Sequence, residues 1–486
     1  MELIGRNREI KELKRYYDSN DPEFLVIYGR RRVGKTYLVK QFFEDRFFFY
    51  MTGVSPISKD DGYCKSLLDK SLERFHSALC EYNIASSSKP STWMEAFDRL
   101  KAGIVASGDS RRKVVFLDEL PWLDTPRSGF ITALEYFWNS FASARRDVFL
   151  IACGSAASWI TKKIFQNRGG LHNRITGRML IGPFSLSDCE GYFRAKDIVI
   201  SRREICEAYM IFGGIPYYLS YWNGRYGLPG NVDRIVFSEA APLANEFQEL
   251  YASLFTGSEK YINVVDALSS KLAGVTRDEL LAKLKAPDGG WLSEILANLE
   301  QSGFVRHYSL FPGKQNGGIY QLIDNFSLFH RTFIKGNPGK NEHLWSELYN
   351  TPRLNAWSGF AFERLCLRHV DQIKDSLGIT GVSSNIYAWR SKTSNPGAQI
   401  DLVIDRADGI VNLCEIKYAK YEYAIDKKYV GDLENKYFAF RNETRSNRTI
   451  HETLITTYGL KENKYANRFQ SIVTADELFM PPRNIR

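Results

Sequence analysis

The sequence lacks the features that mark secreted, zinc-binding or membrane proteins. Its seven cysteines among 486 residues are scattered singly, which argues against a disulfide framework and against a cysteine-type zinc site. No apolar run approaches the roughly 18 residues that a membrane-spanning helix needs, and the seven histidines form no HExxH or HxxxH group. The charged start MELIGRNREIKELKR has no apolar segment of the kind found in signal peptides. We therefore expect a cytoplasmic protein with no membrane contact.

The composition is that of a folded protein with several domains. Hydrophobic residues make up 44% of the chain and charged residues 25%, which excludes global disorder. At roughly 100–200 residues per domain, the length predicts about three domains. The 65 basic and 56 acidic residues give a net charge of +9. This surplus is compatible with an anionic partner such as nucleic acid or nucleotide but does not demand one, because such a surplus is usually a solvated surface.

Short apolar segments alternate with helical patterns in the first third of the chain. Short, continuous apolar runs bounded by turn residues are typical of strands buried on both faces. The strand candidates are FLVIY (24–28), VVFL (114–117) and DVFLIACG (147–154). Because helices separate them, the sequence predicts an α/β fold with a parallel, doubly wound sheet. Later breaks in the pattern predict domains at residues 1–225, 226–336 and 337–486.

A phosphate-binding loop follows the first of these strands. Residues 29–36, GRRRVGKT, match the pattern GxxxxGK[ST] in full. In such a loop the backbone N–H groups point at phosphate oxygens, Lys35 adds a charge toward the β- and γ-phosphates, and Thr36 offers a hydroxyl to Mg²⁺. We therefore expect ATP and Mg²⁺ as cofactors. The expected nucleotide-binding residues are Gly29, Arg32, Val33, Gly34, Lys35, Thr36 and Tyr37.

Acidic residues that would complete this site follow on what we expect to be a neighbouring strand. In VVFLDE, we expect Asp118 to hold Mg²⁺ through water. We expect Glu119 to be a catalytic residue that orients or polarises the attacking water. The alternative is an acidic strand-end turn before Pro121. Ser155, after the third strand, is either a polar sensor of the phosphates or the N-cap of the next helix.

Three arginines follow this strand at positions 168, 174 and 178. Charge that develops on the γ-phosphate during hydrolysis needs a cation, and Arg178 is our choice for this catalytic role. It can act within its own chain or from a neighbouring copy, so a homo-oligomer is among the expected partners. The alternative is a solvated basic loop.

Together these motifs resemble the prokaryotic "archaeal ATPase" family, which lies near the AAA+ and STAND NTPases. The matching segments, over roughly residues 1–225, are IGRNREIKEL, GRRRVGKT, VVFLDELPWL, the CGS strand end, the GR step before IGPFSLSD, and FGGIPYYL. The resemblance implies a P-loop sheet with a helical lid and an opening segment that abuts the adenine. It also implies switching between ADP and ATP states, with Gly214-Ile215-Pro216 in the region that couples nucleotide to downstream domains.

The middle segment resembles a winged helix. Residues 260–323 give three helical patterns and then a strand-turn-strand whose turn, 312–318, would be the wing. The functional interpretation is DNA docking by the second helix of the motif. That helix carries Glu294 and Glu300 and few basic residues, whereas phosphate contacts need Lys or Arg. We therefore favour a protein-packing arm over a DNA reader.

Two strand patterns near the C-terminus would bring carboxylates and a lysine together. QIDLVID (399–405) and IVNLCEIKY (410–418), joined through Asp408-Gly409, predict a β-hairpin with Asp401 opposite Glu415. Alternation places Lys417 on the same face, and Ile400 on the other face with Leu402 and Ile404. Paired carboxylates need a cation between them, which suits Mg²⁺, and a lysine can activate water.

This hairpin resembles the PD-(D/E)XK nuclease superfamily over roughly residues 355–475. The resemblance implies a restriction-endonuclease-like α/β domain with Glu363 as its helical carboxylate and with Trp389 and Arg390 nearby. The expected metal ligands are Glu363, Asp401 and Glu415, and the expected catalytic residues are Asp401, Glu415 and Lys417. The alternative is a cross-strand salt bridge between Lys417 and one of the acids.

The sequence thus predicts an ATP-binding and ATP-hydrolysing protein with a Mg²⁺-dependent nuclease domain that acts on nucleic acid, DNA rather than RNA. Two alternatives share the ATPase. One is a STAND-like nucleotide switch whose C-terminal domain binds a partner or DNA without cutting it. The other is a transcription regulator that uses the winged helix.

Overall fold

The computed structural model describes residues 3–55, 64–84, 88–108, 110–166, 169–171, 173–312, 318–335, 337 and 341–481. It divides into two compact units, Met1–Pro183 and Phe184–Arg486. Each unit contains its own β-sheet, and the predicted α/β class is confirmed. Arg168 and most of the predicted wing tip lie outside the described residues. No helix among the described residues is both long and apolar enough to cross a bilayer.

The first unit alternates strands and helices along the chain. Its strands are β1 (Glu23–Tyr28), β2 (Phe47–Thr52), β3 (Lys113–Asp118), β4 (Val148–Gly154) and β5 (Gly177–Leu180). Its α-helices are α1 (Asn7–Asp18), α2 (Lys35–Phe43), α3 (Cys64–Glu81), α4 (Trp93–Ala106), α5 (Leu120–Leu123), α6 (Phe130–Ser140) and α7 (Ala157–Ile160). A short 3₁₀ turn (Ala142–Ala144) precedes β4, and a π-helical turn (Thr161–Phe165) follows α7.

The sheet of the first unit has the order β2-β3-β4-β1-β5, and all of its pairs are parallel. Every residue of β3 and of β4 is buried, which explains their continuous apolar sequences. The prediction that β3 neighbours the P-loop strand is wrong, because β4 lies between β1 and β3. Strand adjacency is set by helix crossovers rather than by order along the chain, so the sequence alone did not show it.

The second unit opens with helices. Its α-helices up to the C-terminal sheet are α8 (Leu186–Ala195), α9 (Arg202–Phe212), α10 (Pro216–Leu219), α11 (Leu228–Val232), α12 (Glu246–Leu254), α13 (Ser258–Ser269), α14 (Arg277–Leu284), α15 (Gly290–Gln301), α16 (Asn325–Phe329), α17 (Leu344–Leu348), α18 (Pro352–Arg368) and α19 (Val370–Ser376). Two π-helical turns, Asp233–Phe237 and His330–Ile334, continue α11 and α16. The helices at 184–222 are grouped with the C-terminal part of the chain. The predicted boundaries at 225 and 336 stay predictions.

The middle of this unit has the predicted elements. Helices α13, α14 and α15 are followed by the antiparallel strands β6 (Val305–Ser309) and β7 (Gly318–Leu322), in which Val305 pairs with Leu322. The apolar stripe of α15 is buried, as its spacing predicts; its buried leucines are Leu292, Leu296 and Leu299. The identification of this segment as a winged helix stays a prediction.

A mixed five-stranded sheet forms the C-terminal part, in the order β12-β11-β10-β9-β8. Its strands are β8 (Ser384–Arg390), β9 (Gln399–Arg406), β10 (Ile410–Lys417), β11 (Thr449–Thr456) and β12 (Ser471–Thr474). The helix α20 (Lys427–Thr444) links the parallel strands β10 and β11, as a parallel pair requires. Short 3₁₀ turns occupy Ala466–Arg468 and Ala475–Phe479.

The predicted hairpin of β9 and β10 is present, but its last predicted pair is not. Val411 pairs with Asp405, and the register runs only as far as Cys414 with Leu402. On the other side of β9, Tyr387 pairs with Val403 and Trp389 with Ile400, so β9 holds one extra residue there, which indicates a bulge. Ile400 packs with Val403 in one apolar cluster, so the prediction that it faces the other way is wrong. A bulge interrupts strict alternation. The ladder of β9 with β10 ends at Leu402 and Cys414, so the predicted pairing of Asp401 with Glu415 is not part of it.

Candidate functional sites

Two glycines shape the loop between β1 and α2. Gly29 has φ +143°, and a Cβ there would lie 2.2 Å from the backbone oxygen of Ile181. Gly34, at the N-cap of α2, has φ +87°. Side chains rarely adopt such φ values, so the loop conformation requires glycine at both positions. The sequence pattern therefore reports a real backbone constraint.

Lys35 is buried at the start of α2, with 5% of its surface exposed. Its Nζ donates a hydrogen bond to the carbonyl oxygen of Arg30 at 2.9 Å. A buried ammonium held by a neutral carbonyl is a strong attractor for an anion that enters the loop. This arrangement suits the phosphate-binding role predicted for Lys35.

Thr36 and Asp118 meet although their strands are not adjacent. The Thr36 hydroxyl donates to Asp118 Oδ2 at 2.8 Å, and Asp118 is 3% exposed. Burial, and then the neighbouring charge of Glu119, raise the pKa of Asp118. A hydroxyl and a desolvated carboxylate are oxygen donors of the kind that Mg²⁺ prefers, and a cation would offset the cost of burying the charge. The residues present therefore fit a magnesium ion at this point.

Glu119 has a backbone conformation that is unusual for a glutamate. Its φ is 50° and its ψ is 54°, in the left-handed region. Its Oε2 accepts hydrogen bonds from the Ser155 hydroxyl at 2.8 Å and from the Ser155 N–H at 3.2 Å. Strained conformations of this kind concentrate at functional sites. Helix α7 is capped by Ala156, so Ser155 is not its N-cap, and its hydroxyl orients Glu119 instead.

Arg6 is a site residue that the sequence reasoning did not single out. It is 8% exposed, and its Nη2 donates to the carbonyl oxygens of Val33 at 2.9 Å and Gly182 at 2.7 Å. It thus fixes the phosphate-binding loop to the segment that follows β5. The only signal was its place in the opening box IGRNREI, because arginines are seldom buried and a pattern does not show which ones are.

Arg178 lies on the edge strand β5, where it pairs with Val26. Its side chain is exposed, and its guanidinium carbon lies 4.3 Å from the centre of the Phe165 ring. Arg174 is also exposed. The role of Arg178 at the γ-phosphate stays a prediction.

Glu363 and Asp401 form one part of the predicted C-terminal site. Glu363 lies on α18, and burial followed by the charge of Asp401 raises its pKa to about 8. Arg364 and Lys417 act against this rise, and Glu415 adds to it. The four predicted residues are therefore within electrostatic reach of one another. Asp401 Oδ1 accepts a hydrogen bond from Gln399 Nε2 at 2.5 Å.

Glu415 and Lys417 are held by helix α20. Glu415 Oε1 accepts from Lys436 Nζ at 2.6 Å, and Oε2 accepts from the Tyr429 hydroxyl at 3.1 Å. Lys417 Nζ lies 4.9 Å from the centre of the Tyr429 ring. The alternative of a salt bridge from Lys417 to Asp401 or Glu415 is not seen among the described residues; Lys436 makes the ion pair instead. Lys436 and Tyr429 were not predicted, because they lie on α20, beyond the hairpin, and no local pattern shows which strand residue a helix side chain meets.

The three predicted metal ligands do not form a metal site as they are placed. Within the described part of the chain, no group of three His, Cys, Asp or Glu side chains could hold a metal ion. Both oxygens of Glu415 are hydrogen-bonded to α20, and the ladder of β9 with β10 ends before Asp401 and Glu415. Glu363, Asp401 and Glu415 therefore have suitable chemistry but not a suitable arrangement for Mg²⁺.

The two residues expected near this site differ in character. Trp389 is 3% exposed and packs in the apolar cluster with Phe440, so it serves the core. The Arg390 Nε donates to Gln399 Oε1 at 3.3 Å. Gly214 and Ile215 lie between α9 and α10, Pro216 is the first residue of α10, and the Gly214 carbonyl accepts from the Phe184 N–H at 2.8 Å. Its coupling role stays a prediction.

Comparison with known proteins agrees with the nucleotide site. Residues 3–222 match the family described as an ATPase domain predominantly from Archaea. An uncharacterized protein of Methanocaldococcus jannaschii is 24% identical over 440 residues, which cover 89% of this chain and 91% of that protein. An uncharacterized ATP-binding protein of the same organism is 42% identical over 44 residues, or 9% of this chain and 75% of that protein.

Solved structures are more distant. The Walker-type ATPase of Pyrococcus abyssi is 18% identical with a TM-score of 0.46, and the match covers 68% of this chain and 96% of that one. The ORC2 protein of Aeropyrum pernix is 15% identical with a TM-score of 0.39, over 71% of this chain and 96% of that one.

Proposed function

We propose that this chain, whose residues 3–222 form an ATPase domain of the archaeal type, binds ATP with Mg²⁺ and hydrolyses it. The observation that carries the proposal is the contact between Thr36 and Asp118 at 2.8 Å beside the buried Lys35. These groups supply the oxygens and the positive charge that a metal-bound triphosphate needs.

Each residue of this site has a task in the proposal. Lys35 exchanges its bond to the Arg30 carbonyl for phosphate oxygens. Thr36 and Asp118 would hold Mg²⁺, and the ion would supply positive charge that offsets the charge on the phosphates. Glu119, oriented by Ser155, polarises the attacking water. Arg178, exposed on β5, supplies a cation to the γ-phosphate from the same chain or from a neighbouring copy.

Nucleotide binding and steady-state hydrolysis test the proposal with two substitutions. We expect Lys35→Ala to lose ATP binding, since the charge of the loop is removed. We expect Glu119→Gln to bind ATP but to hydrolyse it about 100-fold more slowly, since a general base of this kind contributes that much or more. Lys14→Ala, an exposed lysine on α1, is the matched control. An unchanged rate in Lys35→Ala would refute the assignment.

For the C-terminal domain we propose action on nucleic acid, DNA rather than RNA, in one of two forms. The first is cleavage by a Mg²⁺-dependent nuclease site at Glu363, Asp401, Glu415 and Lys417, which would require Glu415 to exchange its bonds to α20 for the ion. The electrostatic proximity of these residues supports this form. The second is a nucleotide switch whose domain binds without cutting. The bonds that occupy both oxygens of Glu415 favour this second form.

A plasmid-nicking assay with Mg²⁺ or Mn²⁺ separates the two forms. If the domain cuts, wild type nicks the plasmid and both Asp401→Ala and Lys417→Ala lose activity. Asp432→Ala, an exposed acid on α20, serves as the matched control and keeps it. If the domain only binds, no variant nicks DNA, and duplex binding weakens with added salt in all of them.

A further inference from the structure

Helix α20 presents two groups to one carboxylate of the C-terminal sheet. Tyr429 and Lys436 are seven positions apart, so they lie on the same face of the helix two turns from each other. Asp426 fixes the start of α20 by accepting from the Tyr429 N–H at 2.7 Å. The helix thus delivers a hydroxyl and an ammonium to the two oxygens of Glu415.

Lys436 and Glu415 form an ion pair in which both side chains are largely shielded from solvent. Glu415 and Lys436 have side chains 10% and 25% exposed, and Nζ and Oε1 are 2.6 Å apart. A carboxylate this buried needs a cation, and the one it has comes from the chain itself. Lys417 is anchored differently, over the ring of Tyr429, so the two lysines do not compete for Glu415.

We propose that Lys436 is the resident cation of Glu415 and that it excludes divalent ions from this carboxylate. A divalent ion bound to Glu415 would have to displace the Lys436 ammonium or lie beside it, and two adjacent cations repel each other. This accounts for a set of acids with the chemistry of a metal site but without its arrangement. The inference rests on the second form of the proposed function, binding without cutting, because a lysine that keeps divalent ions from Glu415 also prevents the metal-dependent cleavage of the first form.

Mn²⁺ binding to the full-length chain without nucleotide tests this inference. The free-Mn²⁺ signal in electron paramagnetic resonance is followed during titration of wild type, Lys436→Met, Lys436→Arg and the double variant Lys436→Met with Glu415→Gln. We expect Lys436→Met to bind one additional Mn²⁺ about tenfold or more tightly than wild type, a difference of about 1.4 kcal/mol or more. Lys436→Arg should behave as wild type because it keeps the charge, and the double variant should lose the additional ion.

One further measurement, one replacement variant and the single variant Glu415→Gln keep the test decisive. Urea unfolding verifies that each variant is folded, and Lys436→Gln, which keeps a hydrogen-bond donor, replaces Lys436→Met if that variant is not. Equal Mn²⁺ binding by wild type and the neutral variants would overturn the inference. So would an ion that wild type binds and Glu415→Gln loses. Failure of the nuclease proposal shows itself separately, as uncut plasmid while the Mn²⁺ difference persists.

Discussion

Two buried carboxylates in this chain have raised pKa values for the same physical reason, although the groups around them differ. Burial raises the pKa of Asp118 and of Glu363, and a second carboxylate adds to the rise in each case. The hydrogen bond from the Thr36 hydroxyl and the charge of Lys35 act to lower the pKa of Asp118. Glu363 has the opposing charges of Arg364 and Lys417, and its pKa still rises to about 8. A charge at Glu363 is therefore costly in the folded protein.

Stability should depend on pH through Glu363. Its pKa is higher in the folded chain than its usual value of 4.5, so the folded state binds more protons between pH 4.5 and 8. The free energy of unfolding therefore falls as pH rises through this range and levels off above it. We expect Glu363→Gln to be more stable than wild type at pH 8.5, by on the order of 1–3 kcal/mol, and to differ little at pH 5.

Urea unfolding at the two pH values measures this difference. Glu422→Gln, an exposed glutamate ahead of α20, is the control and should match wild type at both. A stability gain for Glu363→Gln that is the same at pH 5 and pH 8.5 would show that ionisation is not its cause.

At the scale of elements, the phosphate-binding loop depends on its close approach to the segment after β5. The Ile181 carbonyl oxygen lies 2.2 Å from the position that a Cβ of Gly29 would take. The Ile181 N–H donates to the Tyr28 carbonyl at 2.8 Å. The edge strand β5 is short and alternates between buried and exposed residues. It thus positions the loop as well as extending the sheet.

Gly29→Ala should disrupt this element. The added methyl would meet the Ile181 oxygen at 2.2 Å, and φ +143° is unfavourable for alanine, so either the loop or β5 must move. We expect a loss of about 2 kcal/mol or more in unfolding free energy, together with weakened ATP binding. Gly182→Ala, where a Cβ meets nothing within 4 Å, should leave both near wild type. Calorimetric melting and ATP titration measure the two effects.

At the scale of the whole molecule, the second unit is joined internally by buried polar contacts between distant segments. Glu207 on α9 accepts from the Tyr418 hydroxyl at 2.9 Å and from the Tyr349 hydroxyl at 3.1 Å. The Leu186 N–H donates to His369 Nε2 at 3.1 Å, and burial lowers the pKa of His369 to about 4, which keeps that nitrogen an acceptor. Residues 184–222 therefore pack as part of this unit, and Tyr418 is the residue directly after Lys417.

Fragments test this division. A fragment of residues 184–486 should unfold in urea with one cooperative transition, whereas residues 226–486 should be less stable by about 3–5 kcal/mol or fail to fold. The shorter fragment loses Glu207 and the Leu186 N–H, which leaves buried partners unpaired. Circular dichroism during denaturant titration measures both. Equal stability of the two fragments would instead favour a domain boundary near residue 225.

The sequence pattern was sufficient to predict the parts of the fold that form locally. It predicted the strand-loop-helix around Lys35, the acidic strand end at Asp118, the helical character after Ser185 and the hairpin of β9 and β10, because periodicity and turn residues act over a few positions. It did not predict β2, although the aromatic sequence of this strand favours a strand, or β5, which is too short to carry a strong signal.

Tertiary packing brings together groups that lie far apart in the sequence, and the sequence pattern did not predict these contacts. Packing places β4 between β1 and β3 and buries Arg6 against the phosphate-binding loop. It also brings Ser155 into a hydrogen bond with Glu119 and Lys436 into an ion pair with Glu415. The ladder of β9 with β10 ends one pair before the predicted pairing of Asp401 with Glu415, and β9 has a bulge against β8. Contacts of this kind depend on crossovers and bulges whose energies come from packing across the whole unit, so no local pattern specifies them.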